Sequence, residues 1–177
     1  MTLRLDLVPA LSKPELLAAP VVDALSKLPD ADAIQVAPID PELADTAAFC
    51  EAYDVTLEQS ANCVIVLGKP AGVYAACVVL ATTRADVNGA VRRLLATRKA
   101  SFAPMDDAVG ISGMQYGGIT PIGLPSDWPV YVDSRVLAVP SAVIGSGIRG
   151  SKIVLPGALI ASLPGATVIE NLALESL

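Results

Sequence analysis

The chain has 177 residues, of which 53% are hydrophobic and 4% aromatic, and its formal net charge is −6. This length predicts one domain with a full core, and the lack of a long uncharged apolar run argues against a transmembrane helix. The sequence contains no histidine, which excludes Ser-His-Asp and Cys-His catalysis and histidine-ligated metal sites. The N-terminal segment lacks the layout of a signal peptide. We therefore expect a cytoplasmic protein.

The N-terminal part of the chain predicts helices around one short strand. Residues 11–28 have a helical pattern, with Pro20 kinking or dividing the helix. Residues 33–37 alternate weakly and predict a strand. An Asp-Pro-Glu start predicts a helix over residues 40–53. Residues 56–61 predict a further short helix.

The central region predicts a β-hairpin followed by two helices and a strand. Residues 63–67 and 73–81 are rich in β-branched side chains and flank a Lys-Pro-Ala-Gly turn, so they predict an antiparallel hairpin. Asp86 is placed to cap a helix with one apolar face. A short strand is expected at residues 100–103, and Asp106 and Asp107 are expected to open a helix of one to two turns that Gly110 or Gly113 ends.

The C-terminal part predicts strands at residues 130–133, 142–144 and 152–155, and a last helix over residues 157–163. No repeat, linker or low-complexity segment divides the chain. These elements predict a single-domain α/β (α+β) fold over residues 1–177, with a mixed, largely antiparallel sheet wrapped by helices.

The three cysteines, Cys50, Cys63 and Cys77, lie in apolar runs without CxxC spacing. Their odd number predicts buried thiols and not a disulfide framework. Without histidine, any chemistry must use backbone groups, water, the substrate, or Lys, Asp, Asn, Ser and Thr side chains. We expect neither a metal nor a cofactor.

Charge is unevenly distributed, with −7 over residues 1–83 and +1 over residues 84–177. The second half contains a basic cluster: Arg84, Arg92, Arg93, Arg98 and Lys99. Overall acidity opposes non-specific binding of nucleic acid, which depends on phosphate neutralisation. The cluster is suited to one phosphate backbone, although a solvated helix face is the favoured interpretation.

A glycine-rich loop spans residues 113–123, in which four of the eleven residues are glycine and none is charged. The paired glycines Gly117 and Gly118 permit positive φ and close approach of a ligand to backbone N–H groups. Successive N–H groups of this kind bind anions or carbonyl oxygens. A tight turn between buried elements is the alternative, and spacing alone favours it.

The glycine-rich loop with its preceding serine stands in order with four other segments, which are Gln59–Val66, Arg98–Phe102, Asp133 and Ile144–Ile153. Together these motifs resemble the YbaK/EbsC family of prolyl-tRNA-synthetase-associated editing domains. The GGxxP loop followed by the Gly-Ser-Gly-x-Arg-Gly segment makes the resemblance specific. It covers about residues 45–172 and leaves residues 1–44 as an N-terminal helical and strand extension.

The resemblance implies an aminoacyl-tRNA deacylase, which hydrolyses the ester joining a wrong amino acid to the 3′-terminal adenosine of tRNA. The N–H groups of Gly117, Gly118 and Ile119 would then hold the ester oxygen as it gains charge; removing such a donor costs roughly 3–4 kcal/mol in other enzymes. The neighbouring ribose hydroxyl or a bound water would handle the proton.

The resemblance also implies a substrate-binding set around this loop. Thr120 and Pro121 belong to it, and Gly145, Ser146 and Gly147 would form the opposite wall. A pocket of small residues suits a small amino acid such as Ala or Cys.

One position departs from the family. Where the family carries a lysine before the first long strand, this chain has Asn62, whose amide offers hydrogen bonds but no charge. Asn62 is included in the predicted catalytic set, with an ordinary polar turn residue as the alternative. Lys99 or Lys152 are candidates to supply the missing charge from elsewhere.

Three functional hypotheses follow. The first is a trans-editing hydrolase acting on mischarged tRNA, and the second is a non-catalytic binder of the aminoacyl-tRNA 3′ end or a small aminoacyl nucleotide. The third is a small-metabolite binding protein that keeps only the scaffold. Because the chain is acidic, its unaided affinity for tRNA is expected to be weak, which favours recruitment by an aminoacyl-tRNA synthetase.

Overall fold

The computed structural model describes residues 3–176; Met1, Thr2 and Leu177, which fall in the predicted domain, lie outside the described residues. The strands are β1 (Val8–Pro9), β2 (Gln35–Pro38), β3 (Ala61–Lys69), β4 (Val73–Leu80), β5 (Thr83–Ala85), β6 (Lys99–Phe102), β7 (Val130–Asp133), β8 (Ala142–Gly145), β9 (Ser151–Leu155), β10 (Ala166–Ile169) and β11 (Ala173–Glu175). The α-helices are α1 (Ala19–Leu25), α2 (Thr46–Tyr53), α3 (Arg92–Leu94), α4 (Met105–Ser112) and α5 (Gly157–Ala161). None of the described helices is long and apolar enough to cross a membrane.

The central sheet has the strand order β10-β7-β4-β3-β6. The predicted hairpin of β3 and β4 is confirmed, with Asn62 opposite Val79 and Gly68 opposite Val73. Strand β6 is antiparallel to β3 and forms one edge, whereas β7 is parallel to β4 and β10 is parallel to β7. The sheet is therefore mixed, as predicted.

A second, fully antiparallel sheet has the order β1-β2-β9-β8. A single parallel bridge between Ser60 and Val143 joins the two sheets, and β5 pairs with β11 in a separate ribbon. One hydrophobic cluster contains buried side chains from both sheets, including Val78 and Ile153. The predicted fold class is confirmed. The strands are divided between two sheets, and each sheet contributes one face to this shared core.

The second face of each sheet is covered separately. Val66 and Val79 of the central sheet pack with Val91, which belongs to the helical segment that Asp86 begins. This cap is confirmed, since the Asp86 carboxylate accepts hydrogen bonds from two N–H groups of the first turn. On the other sheet, Phe49 of α2 contributes to a third buried cluster.

The predicted helix over residues 56–61 is wrong. These residues form a turn in which the Gln59 side chain accepts from the Thr56 N–H at 3.1 Å, and Ser60 already pairs with the second sheet. The helix predicted over residues 40–53 is divided into a 3-10 turn at Pro41–Leu43 and α2. Strand pairing outweighs local helical preference in the first of these segments.

The helix predicted over residues 11–28 is also divided. Two 3-10 turns precede α1, and Pro20 lies in the first turn of α1, where its missing N–H breaks no helical hydrogen bond. Strands β1, β5, β10 and β11 were not predicted. Each has only two to four residues, which is too short for a clear period-2 pattern.

Candidate functional site

A cleft of about 580 Å³ is lined by residues of both sheets beside the Ser60–Val143 bridge. The start of β3 contributes one wall, the glycine-rich loop and the end of β8 another, and the turn before α2 a third. Its lining includes Asp45, Thr46, Ser60, Asn62, Cys63, Phe102, Met105, Tyr116, Gly117, Ile119, Gly145 and Lys152. Five of these residues, Asn62, Gly117, Ile119, Gly145 and Lys152, belong to the predicted site.

Two of the three N–H donors predicted in the glycine-rich loop have no backbone hydrogen-bond partner among the described residues. Within residues 3–176, the N–H groups of Gly117 and Ile119 donate to no backbone acceptor. The N–H of Gly118 instead donates to the Gln115 carbonyl at 3.0 Å. Gly118 is also buried. The predicted donor set of three therefore loses Gly118, because its N–H already closes a turn.

The glycines of this loop allow two backbone segments to pack directly against each other. A Cβ at Gly118 would lie 2.6 Å from the Ile148 carbonyl oxygen, and one at Gly145 would lie 2.5 Å from the Gly118 carbonyl oxygen. The Gly147 N–H donates to the Gly118 carbonyl at 2.7 Å, and the Gln115 N–H donates to the Gly147 carbonyl at 2.9 Å. The loop is therefore a tight, packed turn at Gly118, as one interpretation predicted, and within the described part of the chain it keeps N–H groups without a backbone acceptor at Gly117 and Ile119, as the other predicted.

Ser146 and Gly147 were predicted to line the opposite wall, but both are buried behind it. The Ser146 hydroxyl donates to the Ile148 carbonyl at 3.2 Å and accepts from the Ser151 hydroxyl at 2.6 Å. These bonds hold the segment that presents Gly145 to the cleft. The predicted wall is therefore formed by Gly145, with Ser146 and Gly147 supporting it.

Three further predicted residues lie outside the cleft. Thr120 is fully buried and its hydroxyl has no hydrogen-bond partner among the described residues. Pro121 lines a different groove. Lys99 lies opposite Lys69 in the β3–β6 strand pair. Lys69 is at the other end of β3 from Asn62, and the two ends are roughly 23 Å apart at about 3.3 Å per residue.

Lys152 is the basic side chain that lines the cleft with Asn62. Its Nζ lies 3.4 Å from the Ala44 carbonyl oxygen and 5.0 Å from the centre of the Phe49 ring. Burial lowers the pKa of this ammonium group, because a charged amine loses hydration in the cleft. Of the two lysines considered from the sequence, Lys152 is therefore the one that can supply the charge Asn62 lacks.

Asn62 is held in place by α2. Its amide oxygen accepts a hydrogen bond from the Thr46 hydroxyl at 3.1 Å, and the residue lines the cleft. Asp45 precedes Thr46, and its largely exposed carboxylate also lines the cleft. Neither Asp45 nor Thr46 was predicted as a site residue, since only the turn before α2 brings them beside β3.

Arg149 fixes the relative positions of two cleft walls. Its guanidinium donates to the Tyr116 carbonyl at 3.1 Å and to the Pro41 carbonyl at 3.2 Å, and it lies 4.0 Å from the Asp45 carboxylate. Its backbone N–H also donates to the Gln115 side chain at 2.9 Å. Arg149 lies in the Gly-Ser-Gly-x-Arg-Gly motif, so the motif was the sequence signal for this clamp.

The cysteines do not provide a nucleophile. All three are free, Cys50 and Cys77 are buried, and Cys63 is half-buried at the cleft. Burial, together with neighbouring Cys77, raises the pKa of Cys63 far above its ordinary value. A thiol in this environment stays protonated and unreactive.

Asp133, which belongs to the family resemblance, is a buried structural residue. Its carboxylate accepts hydrogen bonds from the Arg135 side chain at 2.9 Å and from the Ala173 N–H at 2.9 Å. Burial acts to raise the pKa of Asp133, but these hydrogen bonds and the Arg135 charge lower it overall. The pair connects β7 to β11 away from the cleft.

Comparison with solved structures identifies the same fold in other proteins. A crystal structure of a candidate trans-editing enzyme for prolyl-tRNA synthetase gives a TM-score of 0.76 at 20% identity, covering 90% of this chain and 97% of that chain. A hypothetical protein gives 0.72 at 20% identity, covering 80% and 91%. A candidate signal transduction protein from Marinobacter aquaeolei gives 0.57 at 14% identity, covering 90% of this chain but 31% of its own.

Sequence comparison identifies the family. A search of curated proteins finds no match. The family model of the aminoacyl-tRNA editing domain matches residues 40–163. Because this match spans well over half of the chain and includes the cleft, the protein belongs to the aminoacyl-tRNA editing domain family.

Proposed function

We propose that the protein is a trans-editing hydrolase that deacylates mischarged aminoacyl-tRNA, with the 3′-terminal aminoacyl-adenosine held in the cleft. The observation that carries this proposal is the convergence in one cleft of two available N–H donors and one half-buried ammonium group. The donors belong to Gly117 and Ile119, and the ammonium group belongs to Lys152. This arrangement suits an ester whose carbonyl oxygen gains negative charge in the transition state.

The reaction requires little beyond positioning, because an aminoacyl ester is already activated. Water adds to the ester carbonyl, the carbonyl oxygen gains charge, and the bond to the ribose oxygen then breaks. The attacking water loses a proton and the departing ribose oxygen gains one, so the products are the free amino acid and tRNA with a free hydroxyl. The neighbouring ribose hydroxyl or a second water carries this proton, since the chain has no histidine.

The polar residues of the cleft have complementary roles in this proposal. The Gly117 and Ile119 N–H groups hold the carbonyl oxygen, and Lys152 places the substrate by its positive charge. The exposed Asp45 carboxylate is suited to the α-ammonium group of the amino acid. The Asn62 amide, oriented by Thr46, adds a neutral donor beside them.

The apolar lining supports a small amino acid as the cleaved group. Ala61, Ala103 and Ala108 line the cleft with Val143 and Ile144, and this apolar surface of short side chains suits a small, uncharged amino-acid side chain. One methylene changes discrimination in such pockets by about 1–3 kcal/mol. Alanine and cysteine are therefore the proposed substrates.

A non-catalytic binder is the second candidate, and one observation favours it. Asn62 is neutral, and its amide oxygen is already occupied by Thr46, so the charge found in the family at this position is absent. A binder would use the same cleft for the aminoacyl-tRNA 3′ end or a small aminoacyl nucleotide, without turnover.

Recruitment by an aminoacyl-tRNA synthetase belongs to the same proposal. With a net charge of −6, the isolated protein is expected to bind bulk tRNA weakly, and added salt should weaken it further. A synthetase that delivers the charged 3′ end would remove this limitation. We place this activity in the cytoplasm.

Single-turnover deacylation of Ala-, Cys- and Ser-charged tRNA tests the proposal. The hydrolase predicts release of Ala or Cys well above the spontaneous rate, and slower release in Lys152→Met. Binding of an uncleavable 3′-aminoacyl-adenosine amide without any turnover would instead support the binder. The absence of both binding and turnover would contradict both candidates.

A further inference from the structure

A second concave surface lies on the central sheet, and we call it the basic groove. It is lined by Lys69, Asn88, Arg92, Arg98, Lys99, Ala100 and Ser101. Four of these seven residues are cations and none is an acid, although the whole chain has a net charge of −6. Within residues 3–176, no carboxylate forms an ion pair with any of the four cations.

The side chains of the basic groove are placed for an external anion. Lys69, Arg98 and Lys99 are exposed. The Arg92 Nε donates to the Asn88 carbonyl at 2.8 Å, which orients the guanidinium while its two terminal nitrogens remain available. Guanidinium and ammonium groups without carboxylate partners bind phosphate oxygens, and hydroxyl and amide groups such as those of Ser101 and Asn88 add hydrogen bonds.

Edge strand β6 connects the basic groove to the cleft. It begins at Lys99 in the groove and ends at Phe102, a residue that is 62% exposed and lines the cleft. Four strand residues span about 10 Å, which corresponds to roughly three nucleotides at about 3.4 Å per stacked nucleotide. A strand of nucleic acid with its terminal residue in the cleft would therefore place its preceding phosphates at the basic groove.

We infer that the basic groove binds the phosphate backbone of the tRNA acceptor end, a few nucleotides before the terminal adenosine. The inference rests on the proposed function, since the cleft must hold the aminoacylated end. It gives β6 the role of a spacer and the exposed Phe102 ring the role of a stacking surface for a base near the 3′ end. The groove contributes affinity and register, and the cleft contributes chemistry.

The test compares two variants of the intact protein with the same change in net charge. Arg98→Gln combined with Lys99→Gln neutralises two exposed groove cations. Arg4→Gln combined with Lys13→Gln is the control, because these two cations are exposed, lie outside both regions and already neighbour acids. Binding of an uncharged acceptor-stem minihelix with its single-stranded 3′ end is measured by fluorescence anisotropy between 50 and 200 mM salt.

The groove variant should bind the minihelix at least tenfold more weakly at 50 mM salt. The slope of log affinity against log salt should fall in magnitude by about 1.4, because each single-strand phosphate contact contributes about 0.7. The control should change affinity less than twofold. Equal losses in both variants, or no loss in the groove variant, would overturn the inference.

Hydrolysis separates this inference from the proposed function. The groove variant should lose kcat/KM about tenfold on aminoacyl-minihelix but keep it within twofold on 3′-aminoacyl-adenosine, which is too short to reach the groove. Equal losses on both substrates would contradict a role confined to the phosphate backbone. If the unmodified protein hydrolyses neither ester, the proposed function fails, while the binding measurement still decides whether the groove recognises the acceptor end.

Discussion

The cleft and the basic groove lie at opposite ends of the β3–β6 pair and use charge in opposite ways. The cleft holds one half-buried ammonium group, Lys152, whose pKa is lowered by burial, together with backbone N–H donors. The basic groove holds four cations, three of them exposed. Fixed, poorly hydrated groups suit the stabilisation of developing charge, whereas accessible cations suit a phosphate backbone. Substitutions in the cleft should therefore alter the rate of hydrolysis, and substitutions in the basic groove should alter the affinity for the tRNA acceptor end.

The largest effect is expected from Gly145→Ala at the cleft wall. The added Cβ would lie 2.5 Å from the Gly118 carbonyl oxygen, so the glycine-rich loop must move. We expect a loss of about 1–3 kcal/mol in unfolding free energy and about a hundredfold loss of hydrolysis. Thermal melts and single-turnover assays measure the two effects.

Gly110→Ala in α4 is the matched control for this loop variant. A Cβ at Gly110 would meet nothing within 4 Å, and alanine favours the helix by about 1 kcal/mol. Its activity should be unchanged and its melting temperature equal or higher. A Gly145→Ala protein that matches this control in both measurements would contradict the close packing of the two glycine segments.

The next largest effect is expected from Lys152→Met, which should lower activity without lowering stability. Loss of one charge-assisted contact of about 1.5–3 kcal/mol should slow hydrolysis roughly ten- to hundredfold. The melting temperature at neutral pH should rise, because the half-buried ammonium group disfavours the folded state. A parallel loss of stability and activity would indicate a structural role for Lys152 instead.

The pH dependence of stability offers a smaller, independent test of Lys152. Its folded-state pKa is lowered, so between that value and the unfolded value near 10.4 the unfolded chain binds more protons. Stability from this group therefore rises with pH through that window. The melting temperature of Lys152→Met should exceed that of the unmodified protein at neutral pH, with the difference shrinking as pH approaches 10.4. A difference independent of pH would contradict the lowered pKa.

The smallest effect is expected from Asn62→Lys. This variant loses the hydrogen bond from Thr46, worth about 0.5–1.5 kcal/mol, and places a second ammonium group in the cleft with Lys152. The melting temperature should fall by a few degrees, and the rate of hydrolysis should fall a few-fold. Combining Asn62→Lys with Lys152→Met restores a single cation, so the double variant should be more active than Lys152→Met alone. If the activity losses of the two single variants simply add in the double variant, a cation at position 62 does not substitute for the one at position 152.

The sequence by itself determined the features that depend on neighbouring residues and on motif order. The β-branched runs predicted the β3–β4 hairpin, and Asp86 predicted a helix start that its carboxylate does cap. The glycine-rich loop, followed by the Gly-Ser-Gly-x-Arg-Gly segment, carried the family resemblance, which the match over residues 40–163 confirms. Hairpins, caps and spaced motifs are local, so a single chain displays them without its partners.

Tertiary structure alone decided which residues share the cleft. Lys99 and Lys152 are both strand lysines, and only strand pairing puts Lys152 beside Asn62 and Lys99 at the far end of β3. The packing of Gly118 against Ile148 likewise withdraws one predicted donor. Register and loop packing depend on contacts between distant segments, and a one-residue change in register would reverse which side chains face the cleft. No local pattern in the sequence encodes that choice.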